Sequence, residues 1–317
     1  MTDLFTIAPL NPTIRAALDT AFTVHHVDDM DDPVAWLAQN GAGIAYALTD
    51  GHYGIKPEYL AGLPDLKLVS SNGVGYDAID TDAAVKRGVI VTHTPNVLNA
   101  EVATTTLMLL IACYRNFTRE VDHAVSGRWA ETGNLPLSRS VDNRTIGILG
   151  LGRIGMEIAR KLAPFNSKIL YHTRTKRDVD YTYYDDLAAM ARDADVLISI
   201  APGGASTHHL VNADVMAALG PDGILINVGR GSVVDEAALI NALETGKLGM
   251  AGLDVFENEP HIPEALRKMR NVVLTPHIGS ATVETRAAMA QLAVDNLLQH
   301  RKDGKVISPV PECASLL

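Results

Sequence analysis

At three places in the sequence an apolar run ends in a short polar segment that carries one ionisable side chain suited to chemistry. Arg230 stands in Asn227-Val228-Gly229-Arg230-Gly231, Glu259 in Asp254-Val255-Phe256-Glu257-Asn258-Glu259-Pro260, and His277 in Thr275-Pro276-His277-Ile278-Gly279-Ser280. A fixed cation, a carboxylate and an imidazole are groups that hold and move charge near neutral pH. Each alone has a plainer explanation: an arginine after a strand is commonly at the surface, a glutamate before proline commonly marks a turn, and a lone histidine commonly satisfies a loop. Three of them, each closing a buried-looking run, need a common edge on which to meet.

A glycine turn supplies that edge. Gly150-Leu151-Gly152-Arg153-Ile154-Gly155 follows the apolar run Thr145–Leu149 and precedes a helical pattern of Ile158, Ala159 and Leu162. A strand feeding such a turn lets the backbone approach a pyrophosphate, whose charge rests on the first amides of the next helix. The flanking strand and helix separate this from an ordinary loop. In an open α/β sheet ligands bind at the carboxyl ends of the strands, so Arg230, Glu259 and His277 would converge on the nicotinamide end of a dinucleotide. The acidic residue expected about 20 positions on, which takes the ribose hydroxyls of NAD, is missing. Lys168-Ile169-Leu170-Tyr171 exits instead into His172-Thr173-Arg174-Thr175-Lys176-Arg177, with no carboxylate before Asp178. Cations here favour a 2′-phosphate, so the expected cofactor is NADPH, with NADH accepted less well. A merely solvated basic loop is the alternative.

Short β-branched runs alternate with helical patterns along almost the whole chain, which implies parallel sheets with helices on both faces. The expected strands begin near Phe5, Phe22, Gly43, Leu66 and Val89, then near Ile146, Lys168, Val196, Ile224, Gly249 and Val272. The first five precede the glycine turn and should form a separate sheet. The expected division is residues 1–98 plus 282–317 in one domain and 99–281 in an inserted dinucleotide-binding domain. The long apolar segment from Asn99 to Val125, followed by a loop bearing Trp129, exceeds what a linker needs and suggests a homodimer contact.

Composition excludes several classes of function. A length of 317 residues with 47% hydrophobic content suffices for two cores, and a net charge of −10 would repel nucleic acid. No run reaches the roughly 18 apolar residues of a membrane span, and the N-terminus lacks a cationic leader pattern, so a cytoplasmic location is expected. Cys113 and Cys313 have neither disulfide-framework nor zinc spacing. The pairs His25-His26 and His208-His209 read as surface residues, because neighbours on a strand point to opposite faces and no third ligand completes a set. No metal is expected.

Together, Gly150–Gly155, Asn227–Gly231, Gly252–Phe256 with Glu259-Pro260, and Pro276–Ser280 resemble the D-isomer-specific 2-hydroxyacid dehydrogenases. Gly73-Val74-Gly75-Tyr76-Asp77 is similar to that family's substrate domain, so the resemblance spans nearly the whole chain. Within the family it is most like the NADPH-dependent glyoxylate and hydroxypyruvate reductases. The resemblance implies a flavodoxin-like substrate domain and an inserted Rossmann domain, both doubly wound. It implies hydride transfer to a small 2-keto acid, with Arg230 binding the carboxylate and polarising the keto oxygen, His277 as general acid and Glu259 holding His277 and favouring its charged form. Backbone amides of Val74 and Gly75 would anchor the substrate carboxylate. Carried over residue by residue, cofactor contacts fall on Thr106, Gly150, Gly152, Arg153, Ile154, Gly155, Thr173, Arg174, Thr175, Thr207, Val228, Gly229, Arg230, Asp254, His277 and Gly279. Asp254 would meet the nicotinamide carboxamide. A bulkier acid such as phenylpyruvate or 2-ketogluconate, or a non-catalytic dinucleotide sensor of the corepressor type, are the alternatives. Two departures stand out: Thr104 follows Val102-Ala103 where the family often has an acid, and Ala201–Thr207 is unusually rich in glycine.

Overall fold

The structure, a computed structural model, describes residues 1–10 and 12–317. The chain forms two compact units, one of Met1–Leu98 with Thr282–Leu317 and the other of Asn99–Ala281.

The first unit holds a five-stranded sheet of β1 (Thr2–Thr6), β2 (Phe22–His26), β3 (Tyr46–Thr49), β4 (Leu68–Ser71) and β5 (Ile90–Thr92). Its order is β2-β1-β3-β4-β5 and every pairing is parallel, the flavodoxin-like winding. β3 and β4 are buried at every position, as strands covered on both faces must be. One cover is the helix Val283–Asp303, started by the Thr282 side chain and ended by left-handed Gly304. Its Ala290, Ala293, Val294 and Leu297 join the core of Leu4, Phe5, Leu48 and Leu68. Full burial of each large side chain contributes about 1.5 to 3 kcal/mol. Ser70 on β4 donates its hydroxyl to the carbonyl of Ala293 at 2.9 Å, across 223 residues of sequence.

The second unit contains β6 (Thr145–Leu149), β7 (Lys168–His172), β8 (Thr182–Tyr184), β9 (Val196–Ser199), β10 (Ile224–Asn227), β11 (Met250–Leu253) and β12 (Val272–Leu274). They lie in the order β12-β11-β10-β9-β6-β7-β8, all parallel. This is the doubly wound dinucleotide order with one strand added, and its winding reverses between β6 and β9. The apolar segment from Asn99 becomes two helices, Asn99–Tyr114 and Phe117–Val125, broken where Asn116 turns left-handed at φ 49°.

Three strand expectations need correction. β1 starts three residues before Phe5. β3 starts at Tyr46 rather than Gly43, because Gly43 at φ 83° belongs to a turn. The edge strand β8 was not expected at all, being three residues long and polar at its first position.

Candidate active site

The turn after β6 is shaped by close backbone approach. Gly150 has φ 101°, and a Cβ there would stand 2.9 Å from the carbonyl oxygen of Ile200 as the chain leaves β9. A Cβ on Gly155 would stand 2.3 Å from the carbonyl oxygen of Gly150, so only glycine lets the helix Arg153–Leu162 start this near the strand. A Cβ on Gly152 would meet nothing within 4 Å. The ten-residue helix that follows has no side-chain cap at its N-terminus, an arrangement that suits a bound pyrophosphate. A cavity of about 650 Å³ adjoins the turn, lined by Leu151, Gly152, Arg153, Met156, Arg177, Asp178 and Val179.

Arg177 lines this cavity because Tyr171 pins the turn after β7. The fully buried Tyr171 hydroxyl accepts from the amide of Arg177 at 2.9 Å and donates to its carbonyl at 3.1 Å. Arg174 and Thr175 are exposed on the same turn, and the Thr173 hydroxyl donates to Thr175 O at 2.8 Å. Two cationic side chains at the cavity and a third on the adjoining turn suit a phosphate, so the residues present fit a phosphorylated dinucleotide.

At the other end of the sheet, two buried polar side chains at strand ends set the turns that follow them. Asn227, the last residue of β10, is 1% exposed; its amide donates to Arg230 O at 3.0 Å and its carbonyl accepts from the amide of Gly229 at 3.3 Å. The Arg230 guanidinium in turn donates to Gly229 O at 2.9 Å. Asp254, directly after β11, is equally buried and holds the His277 segment. Its Oδ1 accepts from the Thr275 hydroxyl at 2.7 Å and the amide of Ile278 at 2.8 Å, and its Oδ2 accepts from the amide of Gly279 at 2.8 Å. Burial pushes the Asp254 carboxyl above the usual carboxylate value, while those three donors and the nearby His277 pull it down. His277 itself is held at φ 53°, a conformation few non-glycine residues adopt.

His277 and Glu259 meet. Nδ1 of His277 donates to Oε2 of Glu259 at 2.7 Å, while Oε1 of Glu259 accepts from the amide of Phe256 at 3.0 Å. Both carboxylate oxygens are thus oriented, and with Nδ1 engaged the imidazole has Nε2 for chemistry. The His277 side chain is 44% exposed and that of Glu259 18%. Arg230, partly exposed, leaves the end of β10, the strand beside β11 on the side away from β12.

In the other unit, Val74 and Gly75 lie on the turn after β4. His93 donates from Nδ1 to Val74 O at 2.9 Å, and the amide of Thr94 donates to Gly73 O at 2.8 Å. Among the described residues no backbone carbonyl meets the amides of Val74 and Gly75, so both remain available to an anion.

The remaining expected cofactor residues differ in access. Val228, Gly229 and Gly279 are buried at strand ends, whereas Arg153 is exposed and Ile154 partly so. Thr207 spends its hydroxyl on its own loop, donating to Pro202 O at 2.7 Å. Thr106 has no exposed surface, and its hydroxyl donates to Val102 O at 2.8 Å. The histidine pair at 208 and 209 corrects the sequence reading. The two lie on a turn, not a strand, with rings stacked at 3.8 Å, and His209 donates to Glu257. Sequence also left unmarked Asn227 and Asp254 as turn-setters, and Arg177 as a cavity residue; the signal available was a polar side chain closing a run of buried ones.

The family model described as D-isomer specific 2-hydroxyacid dehydrogenase, NAD binding domain, matches residues 107–279. Glyoxylate/hydroxypyruvate reductase A of Arabidopsis thaliana is 39% identical, covering 96% of this chain and 97% of its own. The 2-ketogluconate reductase of Gluconobacter oxydans is 38% identical, covering 97% and 98%. An NADPH-dependent glyoxylate/hydroxypyruvate reductase from Sinorhizobium meliloti, solved in complex with NADP and malonate, is 42% identical, covers 98% of both chains and superposes with a TM-score of 0.92. With its glycine turn, its ordered His277–Glu259 pair and likeness along nearly its full length, the chain belongs to the D-isomer specific 2-hydroxyacid dehydrogenase family.

Proposed function

We propose that this protein reduces a small 2-keto acid, of the glyoxylate or hydroxypyruvate kind, to the D-2-hydroxy acid with NADPH. The observation that carries the reading is the 2.7 Å contact between His277 Nδ1 and Glu259 Oε2 on a sheet edge that also bears Arg230 and the glycine turn. The dihydronicotinamide supplies two electrons and a hydrogen to the carbonyl carbon. Arg230 binds the substrate carboxylate and draws charge onto the keto oxygen, a task for a forked cation. His277 gives that oxygen its proton from Nε2, and Glu259 supports the imidazolium and fixes the ring. The amides of Val74 and Gly75 are proposed as an anchor for an anionic group. Gly152, Arg153 and Ile154 would hold the pyrophosphate. Asp254 acts here chiefly by holding the His277 segment, its oxygens already receiving three donors. An NADPH-oxidation screen over glyoxylate, hydroxypyruvate, phenylpyruvate and 2-ketogluconate tests the reading; no turnover with any would overturn it.

Cofactor choice is a separate expectation. Arg174→Asp should weaken NADPH by roughly 1 to 2 kcal/mol, about tenfold in Kd, because an exposed charge-assisted contact is partly screened. NADH should be nearly unaffected. Arg177→Asp, at the cavity, should follow the same pattern, and equal losses for both cofactors in fluorescence titration would remove these arginines from 2′-phosphate recognition.

The proposal extends to assembly and location. Phe117, Val121, Val125, Trp129 and Leu137 are 57, 42, 83, 62 and 99% exposed on the segment after Asn99. So much apolar surface fits a second copy of the chain. Sedimentation at micromolar concentration should give twice 33.9 kDa; a monomer would end the idea. Two free, buried cysteines suit a reducing compartment, the cytoplasm. No helix among the described residues is long and apolar enough to cross a membrane.

A further inference from the structure

Three loops at the carboxyl edge of the second sheet carry expected functional residues: Thr207 after β9, Arg230 after β10 and Glu259 after β11. The first two are joined by backbone. The amide of His209 donates to Ser232 O at 2.9 Å, that of Val211 to Val233 O at 3.0 Å, and that of Asp235 to Val211 O at 3.0 Å. The third loop is attached through Glu257. Its carboxylate receives Nε2 of His209 and, at 3.5 Å, the amide of Glu236, while the amide of Glu257 faces Oε1 of Glu236 at 3.4 Å. Glu257 is thus where all three loops meet, two residues before Glu259.

Charge explains why a histidine stands there. Asp235 presents Oδ2 at 3.9 Å from Nδ1 of His209, and Glu236 and Glu257 add two more carboxylates; His208 stacks on the ring from the same loop. An imidazole can donate to Glu257 and, when protonated, offset this acidic surround. Burial, together with the charge of Glu257, raises the Glu236 carboxyl above its usual range, as expected where negative groups are crowded. About a third of the His209 and Glu257 side chains remains exposed, so the pair is screened only in part. His209 also sits at φ 52°, which fixes the direction in which its ring leaves the backbone.

We propose that His209 is a positioning residue: through Glu257 it ties the Glu259 loop to the Arg230 loop and so sets Glu259 against His277. The inference rests on the reductase reading for its effect on rate, but the clamp itself can be read without turnover. Asn tolerates the left-handed backbone at 209 and carries no imidazole, and Gln at 257 keeps shape without charge.

The experiment compares His209→Asn, Glu257→Gln and the double variant in the full-length protein. Amide hydrogen exchange over residues 254–262 should quicken in both single variants while the β1–β5 sheet exchanges as before. kcat should fall roughly 10-fold in each, since small displacements of a proton-handling group are costly, with NADPH Kd within about twofold. The double variant should be no worse than the more impaired single one. The falling alkaline limb of kcat should move to lower pH, because a mis-set Glu259 supports the His277 imidazolium less; Glu259 touches that ring and the Asp254 charge also acts on it. Unchanged exchange at 254–262 would overturn the clamp. Faster exchange with unchanged kcat and pH limb would overturn the positioning role and leave His209 structural. A wild-type protein inert toward every 2-keto acid would instead strike the reductase reading, with the exchange result still deciding the clamp.

Discussion

His277→Asn should lower kcat for 2-keto acid reduction by about 100-fold or more while leaving NADPH binding nearly intact, because a placed general acid contributes about that much. Asn is the informative replacement: it tolerates the φ of 53° at this position, so the 275–279 turn held by Asp254 can persist. With Nδ1 engaged by Glu259, the proton for the keto oxygen comes from Nε2, and Asn has no titrating group to replace it. Steady-state kinetics with a parallel cofactor titration checks both halves. Full activity would sink the mechanism. Glu259→Gln should be milder in kcat and should show in the pH profile. Removing the anion destabilises the imidazolium, so the proton is lost at lower pH and the falling limb moves downward; an unmoved limb would mean that the 2.7 Å contact has no catalytic consequence.

Arg230→Ala should cost about 100- to 1000-fold in kcat/KM, the usual scale for a lost donor to a developing oxyanion. Two effects combine there. The substrate carboxylate loses its forked partner, which raises KM, and the keto oxygen loses its polarising charge, which lowers kcat. Arg230→Lys separates them: a point charge should recover part of the binding but little of kcat, since one ammonium cannot reproduce the guanidinium geometry. A KM effect alone would confine Arg230 to binding, and an unchanged kcat/KM would remove it from the site.

The features legible in the sequence were those written in consecutive residues. The glycine turn needs Gly150 and Gly155 at fixed spacing, and the structure places the carbonyl oxygens of Ile200 and Gly150 where larger residues would collide. Parallel strands buried on both faces are themselves continuous apolar runs, so β9 and β10 stand out. β8 does not, because an edge strand of three residues buries too little to leave a pattern. The roles that went unmarked act across the fold. Arg177 reaches the cavity because Tyr171, six residues earlier, holds its backbone; Asp254 organises a turn more than twenty residues ahead; His209 finds Glu257 at a separation of 48. Each depends on which strand lies beside which, and no local spacing encodes that.

The hydrogen bond from Ser70 to Ala293 also bears on how the protein is made. A strand of the first sheet is covered by a helix that leaves the ribosome 223 residues later. At about 5 to 20 residues per second, roughly 10 to 45 s of translation separate the two. During that interval the unit from Asn99 to Ala281, contiguous in sequence, can emerge and fold whole, while β1–β5 wait with the face for Ala290, Val294 and Leu297 still open to water. The nascent chain therefore presents a parallel apolar sheet to water for tens of seconds before its covering helix is made.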